Sequence, residues 1–188
     1  MDLRSTLLGL LSWQPASGYD LKRIISNSDI FYWSGNNNQI YKSLLELQKE
    51  GLVTCQVQLQ ASLPAKKIYS VTEPGLSALH HSLLDDPQLP ELHKSFLIQL
   101  AWAESLSDVE VLALLEKYAK EISNRLQMLQ EQANRPRHNP DRSNREQYLW
   151  RRIAENLIGT YQTELDWVRQ THQELQEGKY LDGLRVQP

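Results

Sequence analysis

The feature that most constrains the fold of this 188-residue chain is a pair of long apolar stripes in its C-terminal half. Each stripe begins at a capping-box pattern, Ser107-Asp108-Val109-Glu110 or Ser143-Asn144-Arg145-Glu146. Large apolar residues then recur at three- and four-residue steps: Val111, Leu115, Tyr118, Ile122, Leu126 and Leu129 in the first stripe, and Leu149, Ile153, Leu157, Tyr161, Leu165, Val168 and Leu175 in the second. The pattern predicts helices of about 25 and about 33 residues that pair antiparallel through a polar loop containing Pro136 and Pro140.

Further apolar residues lie off these stripes, where a helical hairpin alone would leave them in water. They are Leu112, Leu114, Ala119, Ile158 and Trp167. The N-terminal region, the same helices of a second copy, or a ligand could cover them. A two-fold homodimer is expected because it is the commonest oligomer. The alternative is a monomer whose long helices fold back on the N-terminal region.

The N-terminal region mixes helical periodicity with one pair of strands. Short helices are predicted after Leu3, after a capping box at Ser17-Gly18-Tyr19-Asp20, and from about Asn36, where Ile40, Leu44 and Leu47 face the core. Alternation over residues 53–59 and a second extended run over 66–72 predict a hairpin. Thr72 then caps a fourth helix, with Leu76, Leu79 and Leu83 expected to be buried.

This order of elements predicts a mainly α chain with a small β-hairpin. We expect an N-terminal winged helix-turn-helix over residues 1–86, a C-terminal domain of long antiparallel helices over 88–178, and a tail over 179–188. The hairpin is too small to form a domain, so it is interpreted as the wing on the three helices before it.

Composition and motifs exclude several classes of protein. No apolar run is long enough for a membrane span and no secretion signal is present, so a cytoplasmic protein without membrane contact is expected. The single cysteine, Cys55, is interpreted as a packed thiol rather than a redox sensor. Because the chain has no glycine-rich phosphate loop, no Gly-x-Ser-x-Gly and no histidines at zinc spacing, we expect no enzymatic activity, no metal and no cofactor.

Five short segments, in this order along the first 75 residues, resemble those of PadR-type regulators. They are Leu7-Leu8-Gly9-Leu10-Leu11, Ser17-Gly18-Tyr19-Asp20-Leu21, Gln39-Ile40-Tyr41-Lys42-Ser43-Leu44, Glu50-Gly51-Leu52-Val53, and Lys67-Ile68-Tyr69-Ser70-Val71-Thr72. The helical remainder is similar in length and pattern to the larger PadR subgroup, whose C-terminal helices dimerise. The resemblance implies a transcriptional regulator, expected to be a repressor, that binds double-stranded DNA as a homodimer and responds to a small, often aromatic, effector.

The candidate DNA-contacting residues lie on the third helix, on the wing and at the start of the second helix. They are Tyr19, Asn37, Asn38, Gln39, Tyr41, Lys42, Ser43, Lys66, Lys67 and Tyr69. Asn and Gln can pair bidentately with adenine, and Lys can reach guanine or a phosphate. Tyr19 and Tyr41 are suited to phosphates, as the resemblance implies, but either could equally be a half-buried core aromatic. Two wing lysines could also form an ordinary solvated hairpin edge.

The charge of the chain predicts only a modest electrostatic attraction to DNA. The formal net charge is -3, with seven Lys/Arg against six Asp/Glu in residues 1–84 and thirteen against seventeen in the remainder. Attraction to DNA must therefore come from local clustering rather than from a basic domain.

Two further hypotheses remain open at this point. Trp102, Trp150 and Trp167 lie in the helical region and are candidates for an aromatic-lined effector pocket, although tryptophans at helical spacing more often form core. The alternative function is a winged-helix adaptor that binds protein rather than DNA. The polar face at Asn38, Gln39 and Lys42 argues against it, because an adaptor would expose aromatic or aliphatic anchors there.

Overall fold

A computed structural model describes residues 2–28, 38–58, 65–89, 94–134 and 143–179. The chain divides into two compact units, residues 1–90 (unit 1) and residues 91–188 (unit 2). The domain boundary near residue 87 stays a prediction. The DNA-binding role of residues 1–86 and the dimerisation role of residues 88–178 also stay predictions. Of the predicted tail, only Lys179 falls within the described residues.

The described residues of unit 1 form four helices and three short strands. In chain order they are α1 (Leu3–Trp13), β1 (Ala16–Ser17), α2 (Gly18–Ser26), α3 (Asn38–Lys49), β2 (Val53–Gln58), β3 (Lys66–Val71) and α4 (Glu73–Leu83). The predicted hairpin is present as β2 and β3, paired antiparallel with Cys55 opposite Tyr69. Strand β1 was not predicted. It pairs antiparallel with the other edge of β3, so β3 is the central strand of the sheet.

The core of unit 1 gathers side chains from α1, α2, α3 and the sheet. The predicted inward face of α3 is confirmed, because Ile40, Leu44 and Leu47 are all buried. For α4 the prediction is wrong in part. Leu76 and Leu83 are exposed, and the helix instead packs through Gly75, Ala78 and Leu79, which share one face at three- and four-residue steps.

Backbone hydrogen bonds join the end of α3 to the base of the hairpin. Gly51 has a positive φ of 74°, and the N–H groups of Gly51 and Leu52 donate to the carbonyls of Gln48 (3.1 Å) and Leu47 (2.9 Å). This is the Schellman arrangement that ends many helices. The Thr72 hydroxyl donates to the Gly51 carbonyl at 2.8 Å and accepts from the N–H of Gly75 at 3.2 Å, so the end of α3, the hairpin base and the start of α4 meet at one residue.

The described residues of unit 2 form helices α5 (Ser95–Ala101), α6 (Asp108–Asn134) and α7 (Asn144–Gln176), with a short 3-10 turn at Ala103–Ser105. The long helices have 27 and 33 residues, close to the predicted lengths. Tyr118 contacts Glu164, whereas Val111 lies beside Leu175, so α6 and α7 run antiparallel as predicted. The predicted capping box at Ser107 is formed, with the Glu110 carboxylate accepting from both the N–H and the hydroxyl of Ser107.

A half-buried polar network ties the start of α5 to both long helices. The Glu164 carboxylate pairs with the ammonium of Lys94 and accepts a hydrogen bond from the Tyr118 hydroxyl at 3.0 Å. Phe96 stacks on the Tyr118 ring, with 3.6 Å between ring centroids. Burial of the phenol, reinforced by the Glu164 carboxylate, raises the pKa of Tyr118 to about 12.

Within the described ranges, no helix is both long and apolar enough to cross a membrane. The same residues contain no group of three or more His, Cys, Asp or Glu side chains arranged to hold a metal ion.

Candidate nucleic-acid interface

The outward face of α3 is polar and lies on the surface of unit 1. Asn38, Gln39, Tyr41 and Lys42 are exposed, whereas Ser43 is half-buried. The ammonium of Lys42 lies 3.9 Å from the Glu46 carboxylate one turn on, a distance at the limit of an ion pair. The predicted contact Asn37 and the proposed start of the helix at Asn36 lie outside the described residues.

Tyr41 reaches from α3 to the first turn of α2. A Cβ atom added at Gly18 would lie 2.6 Å from the Tyr41 ring, so the absence of a side chain at this position lets the ring rest on the α2 backbone. The next residue, Tyr19, is 63% exposed, and Tyr41 itself is 43% exposed. Neither tyrosine is a buried core residue, and both hydroxyls belong to the surface around the start of α2.

Lys66, the first residue of β3, is bound to the same turn of α2. Its ammonium lies 2.9 Å from Oδ2 of Asp20, which also accepts a hydrogen bond from the Ser17 hydroxyl at 2.7 Å. The hydrogen bond from Ser17, followed by the charge and hydrogen bond of Lys66, lowers the pKa of the Asp20 carboxyl. Lys67 is exposed and forms no ion pair with another described residue, so the two wing lysines differ in their surroundings.

Tyr69 does not belong to this surface, which corrects the prediction that it contacts DNA. Its side chain is only 4% exposed and lies in the core of unit 1. The physical reason is that Tyr69 lies on the face of the sheet that packs into the core, where Ala16 of β1 and Cys55 of β2 stand opposite it. Burial also raises the pKa of the Tyr69 hydroxyl.

The three tryptophans of unit 2 do not converge on one site. Trp102 is 78% exposed, and Trp167 packs its ring edge against Phe96 at 6.4 Å between centroids. Trp150 and Trp167 both lie on the continuous helix α7, where their separation along the axis is about 25 Å. The prediction of one pocket lined by all three is therefore wrong within a single chain. A cavity of about 380 Å³ between α5, α6 and α7 is lined by other residues: Leu100, Val111, Leu115, Thr171, Glu174, Leu175 and Lys179.

Sequence reasoning missed the role of Asp20 as the partner of the wing. The capping-box pattern identified the bond between Asp20 and Ser17, because the two residues are only three positions apart in the sequence. The bond to Lys66 joins distant parts of the chain, and only the pairing of β1 with β3 brings them together.

Comparison with known proteins assigns both units. Residues 7–81 match the family model of the transcriptional regulator PadR-like family, and residues 93–176 match that of the virulence activator alpha C-terminal region. The negative transcriptional regulator PadR of Bacillus subtilis is 30% identical over 129 residues, which cover 68% of this chain and 71% of that protein. The chain belongs to the PadR-like family of transcriptional regulators. The predicted family is confirmed, and the PadR-like assignment gives no support to the adaptor alternative.

Solved structures of PadR-like regulators share the fold. Bacillus subtilis PadR in complex with operator DNA has a TM-score of 0.77 at 24% identity, covering 92% of this chain and 98% of that one. The same regulator in complex with p-coumaric acid has a TM-score of 0.69 at 23% identity, covering 93% and 98%. The Vibrio cholerae virulence activator AphA has a TM-score of 0.65 at 25% identity, covering 94% and 99%. The predicted fold class is thereby confirmed.

Proposed function

We propose that this PadR-like regulator binds a specific operator in double-stranded DNA by placing the outward face of α3 in the major groove. The observation that carries the proposal is the exposed polar face of Asn38, Gln39 and Lys42 above the buried Ile40, Leu44 and Leu47. A polar helix face of this kind can read base edges. Bacillus subtilis PadR, which shares the fold, was solved with operator DNA. Repression is the proposed direction of control, in the bacterial cytoplasm and without catalysis, in keeping with the negative regulator it resembles.

Base reading and phosphate binding are assigned to different parts of this surface. We assign base contacts to Asn38 and Gln39, with Asn37 a candidate beside them. Lys42 can reach guanine or a phosphate. Because Ser43 is half-buried, we assign it only to the sugar-phosphate backbone of the DNA. Tyr19, Tyr41 and Lys67 are assigned to phosphates, because all three are exposed around α2 and the wing: Tyr19 and Tyr41 through their hydroxyls and Lys67 through its ammonium.

A fluorescence-anisotropy titration tests this assignment. Duplex DNA from the chain's own promoter region and a random duplex are titrated across a salt series. Gln39→Ala is expected to weaken operator binding by about 1–3 kcal/mol and to leave random DNA almost unchanged. Gln48→Ala, at the other end of α3, is the matched control. Equal weakening on both duplexes would refute the base-reading role of Gln39.

A homodimer fits the surface of unit 2. Near the α6–α7 connection, large apolar side chains are exposed on both helices: Met128, Tyr148, Leu149 and Ile153. We propose that a second copy covers them, with residues 88–178 forming the dimerisation domain. Two-fold symmetry would then present two α3 helices to half-sites one helical turn apart.

A small aromatic acid is the proposed effector. Bacillus subtilis PadR was solved with p-coumaric acid, and the cavity of about 380 Å³ in unit 2 falls in the size range of ligand pockets. Trp167 is the tryptophan proposed to report on binding, because its ring packs against Phe96, a buried residue of the unit 2 core. Titration with p-coumaric acid, followed by calorimetry and by release of the promoter duplex, tests the proposal. Heat of binding without release would make the molecule a ligand but not an effector.

A further inference from the structure

We propose that Asp20 is a positioning residue for DNA binding, which holds Lys66 of the wing against the first turn of α2. In this arrangement Lys66 fixes the wing relative to α2 and does not contribute a full positive charge to phosphate binding. The inference rests on the proposed function, in which α3 and the wing face DNA.

The first argument is the geometry of the Asp20 carboxylate. One oxygen, Oδ2, receives both the Ser17 hydroxyl at 2.7 Å and the Lys66 ammonium at 2.9 Å. Neither side chain is fully exposed, with Asp20 at 29% and Lys66 at 36% of their side-chain surface accessible. Charge-assisted bonds at these distances are among the stronger hydrogen bonds of proteins, and partial burial reduces their screening by salt.

The second argument is that neither the cap of α2 nor the pairing of β1 with β3 requires the ion pair between Asp20 and Lys66. Ser17 caps α2 by accepting the Asp20 N–H at 3.2 Å, and β1 is already paired to β3 through the backbone, with Ser17 opposite Ile68. The bond to Lys66 fixes a side chain that the sheet itself would leave free. It therefore determines where the ammonium at the start of β3 points.

The third argument is the electrostatics of the surface. The turn that carries Asp20 also carries the exposed Tyr19, and Gly18 supports the Tyr41 ring. A bare carboxylate among groups assigned to phosphates would repel the DNA backbone. Lys66 neutralises it, so the cost of keeping an acid here is small as long as the pair is intact.

Salt dependence distinguishes a paired lysine from a free one. Each cation that neutralises a DNA phosphate adds about 0.9 to the slope of log affinity against log salt. Asp20→Asn keeps a side chain that can accept the Ser17 hydrogen bonds but removes the charge that holds Lys66. We expect this variant to steepen the slope by up to about 0.9 on both duplexes. We also expect it to lower the ratio of operator to random affinity, because the wing is no longer fixed.

The experiment is a double-mutant cycle of Asp20→Asn and Lys66→Gln, measured by anisotropy with promoter and random duplexes across salt. Glu50→Gln is the control for charge, since it breaks the ion pair of Glu50 with Arg4 at the opposite end of α3. We expect the steeper slope of Asp20→Asn to vanish in the Lys66→Gln background, and Glu50→Gln to leave the slope unchanged. Thermal unfolding of each variant separates lost stability from altered binding.

Three results would overturn the inference while leaving the proposed function intact. In the first, Asp20→Asn lowers the melting temperature but changes neither the slope nor the operator preference, which makes the pair merely structural. In the second, the double variant keeps the steeper slope of Asp20→Asn instead of returning to the slope of the unaltered chain. In the third, Lys66→Gln alone leaves the operator preference unchanged, which shows that Lys66 does not fix the wing. Failure of the unaltered chain to bind either duplex would overturn the proposed function and this inference together.

Discussion

The two units of this regulator bury their apolar residues to different extents. Among the described residues, thirteen buried ones from α1, α2, α3 and the sheet form the core cluster of unit 1, whereas the cluster of unit 2 has six, although unit 2 contains both long helices. The difference follows from geometry. Short elements that cross one another enclose a centre, but a helical hairpin buries only the seam along which its helices touch. Unit 1 has the core of a self-sufficient domain, and the smaller core of unit 2 is in keeping with the proposal that a second copy packs against it.

The largest expected effect comes from disrupting the surface that a second copy would cover. In the double variant Leu149→Glu, Ile153→Glu, like charges face each other across the proposed two-fold interface, so the dimer should dissociate. Operator affinity should fall by at least about a hundredfold, because unit 1 of each separated chain would then bind its half-site alone. Sedimentation velocity and anisotropy measure the two effects.

The matched control is Val109→Glu, which places the same charge on an exposed apolar position at the far end of α6. It should leave the dimer intact. A dimer that survives the double variant would contradict the proposed interface and require another surface of unit 2.

The next effect tests the self-sufficiency of unit 1. Leu44 is fully buried and its neighbour Leu45 is exposed on the same helix. Leu44→Ala should lower the free energy of unfolding by about 2–5 kcal/mol, because it removes buried surface and leaves a cavity. Denaturant titration at two protein concentrations should give the same loss at both, since this core lies within one chain. A comparable loss for Leu45→Ala would show that the core is not organised as described.

A smaller effect tests the polar network of unit 2. The pKa of Tyr118 is about 12 in the folded chain against an ordinary value of 10.0, so the folded state retains this proton more tightly than the unfolded state. Its contribution to stability is therefore complete below pH 10 and is lost as the pH rises towards 12, at about 1.4 kcal/mol per pH unit at most.

Tyr118→Phe isolates this contribution, because the buried Tyr69 of unit 1 also has a raised pKa. The free energy of unfolding is measured from pH 9 upwards for both proteins. The difference between them should shrink across this window. A difference that stays constant with pH would mean that neither burial nor Glu164 raises the pKa of Tyr118 in the folded chain.

The smallest effects come from one substitution made in both units. Gly51 has a positive φ at the end of α3, whereas Gly159 lies within α7 with open space around it. Gly51→Ala should cost about 1 kcal/mol, and Gly159→Ala should stabilise by about 0.5–1 kcal/mol. Thermal unfolding should show shifts of opposite sign. Shifts of the same sign would contradict the helix-end assignment at Gly51 or the open surface at Gly159.

The parts of the fold that depend on local sequence could be predicted, and those that depend on distant pairing could not. The inward face of α3 and the capping boxes at Ser17 and Ser107 require only a few neighbouring residues, so periodicity and side-chain chemistry revealed them. Strand β1 has two residues, too few to show alternation. Without β1, the buried Ala16 opposite Tyr69 could not be foreseen, so the Tyr69 side chain was wrongly assigned to the DNA-facing surface.

The candidate site shows the same division. The exposed face of α3 followed from helical phase, and the resemblance supplied Tyr19 and Tyr41. The pairing of Lys66 with Asp20 could not be found, since both residues have ordinary local explanations, one as a wing charge and the other as a cap. The tryptophans misled for a related reason. Because all three residues are tryptophans, the sequence suggested one pocket. Trp150 and Trp167, however, lie far apart along the axis of α7, because each residue of a helix advances the chain by a fixed rise.

The junction at Thr72 has an evolutionary consequence. Its hydroxyl binds the Gly51 carbonyl at 2.8 Å and its N–H donates to the Leu52 carbonyl at 3.1 Å, so both ends of the hairpin are fastened at the base. Insertions or deletions between Gln58 and Ala65 are thereby isolated from α3 and α4. Doubling the length of such a loop costs only about 0.6 kcal/mol of closure entropy. A lineage can therefore change the length of the segment between β2 and β3 while inheriting α3, α4 and the base of the hairpin unchanged.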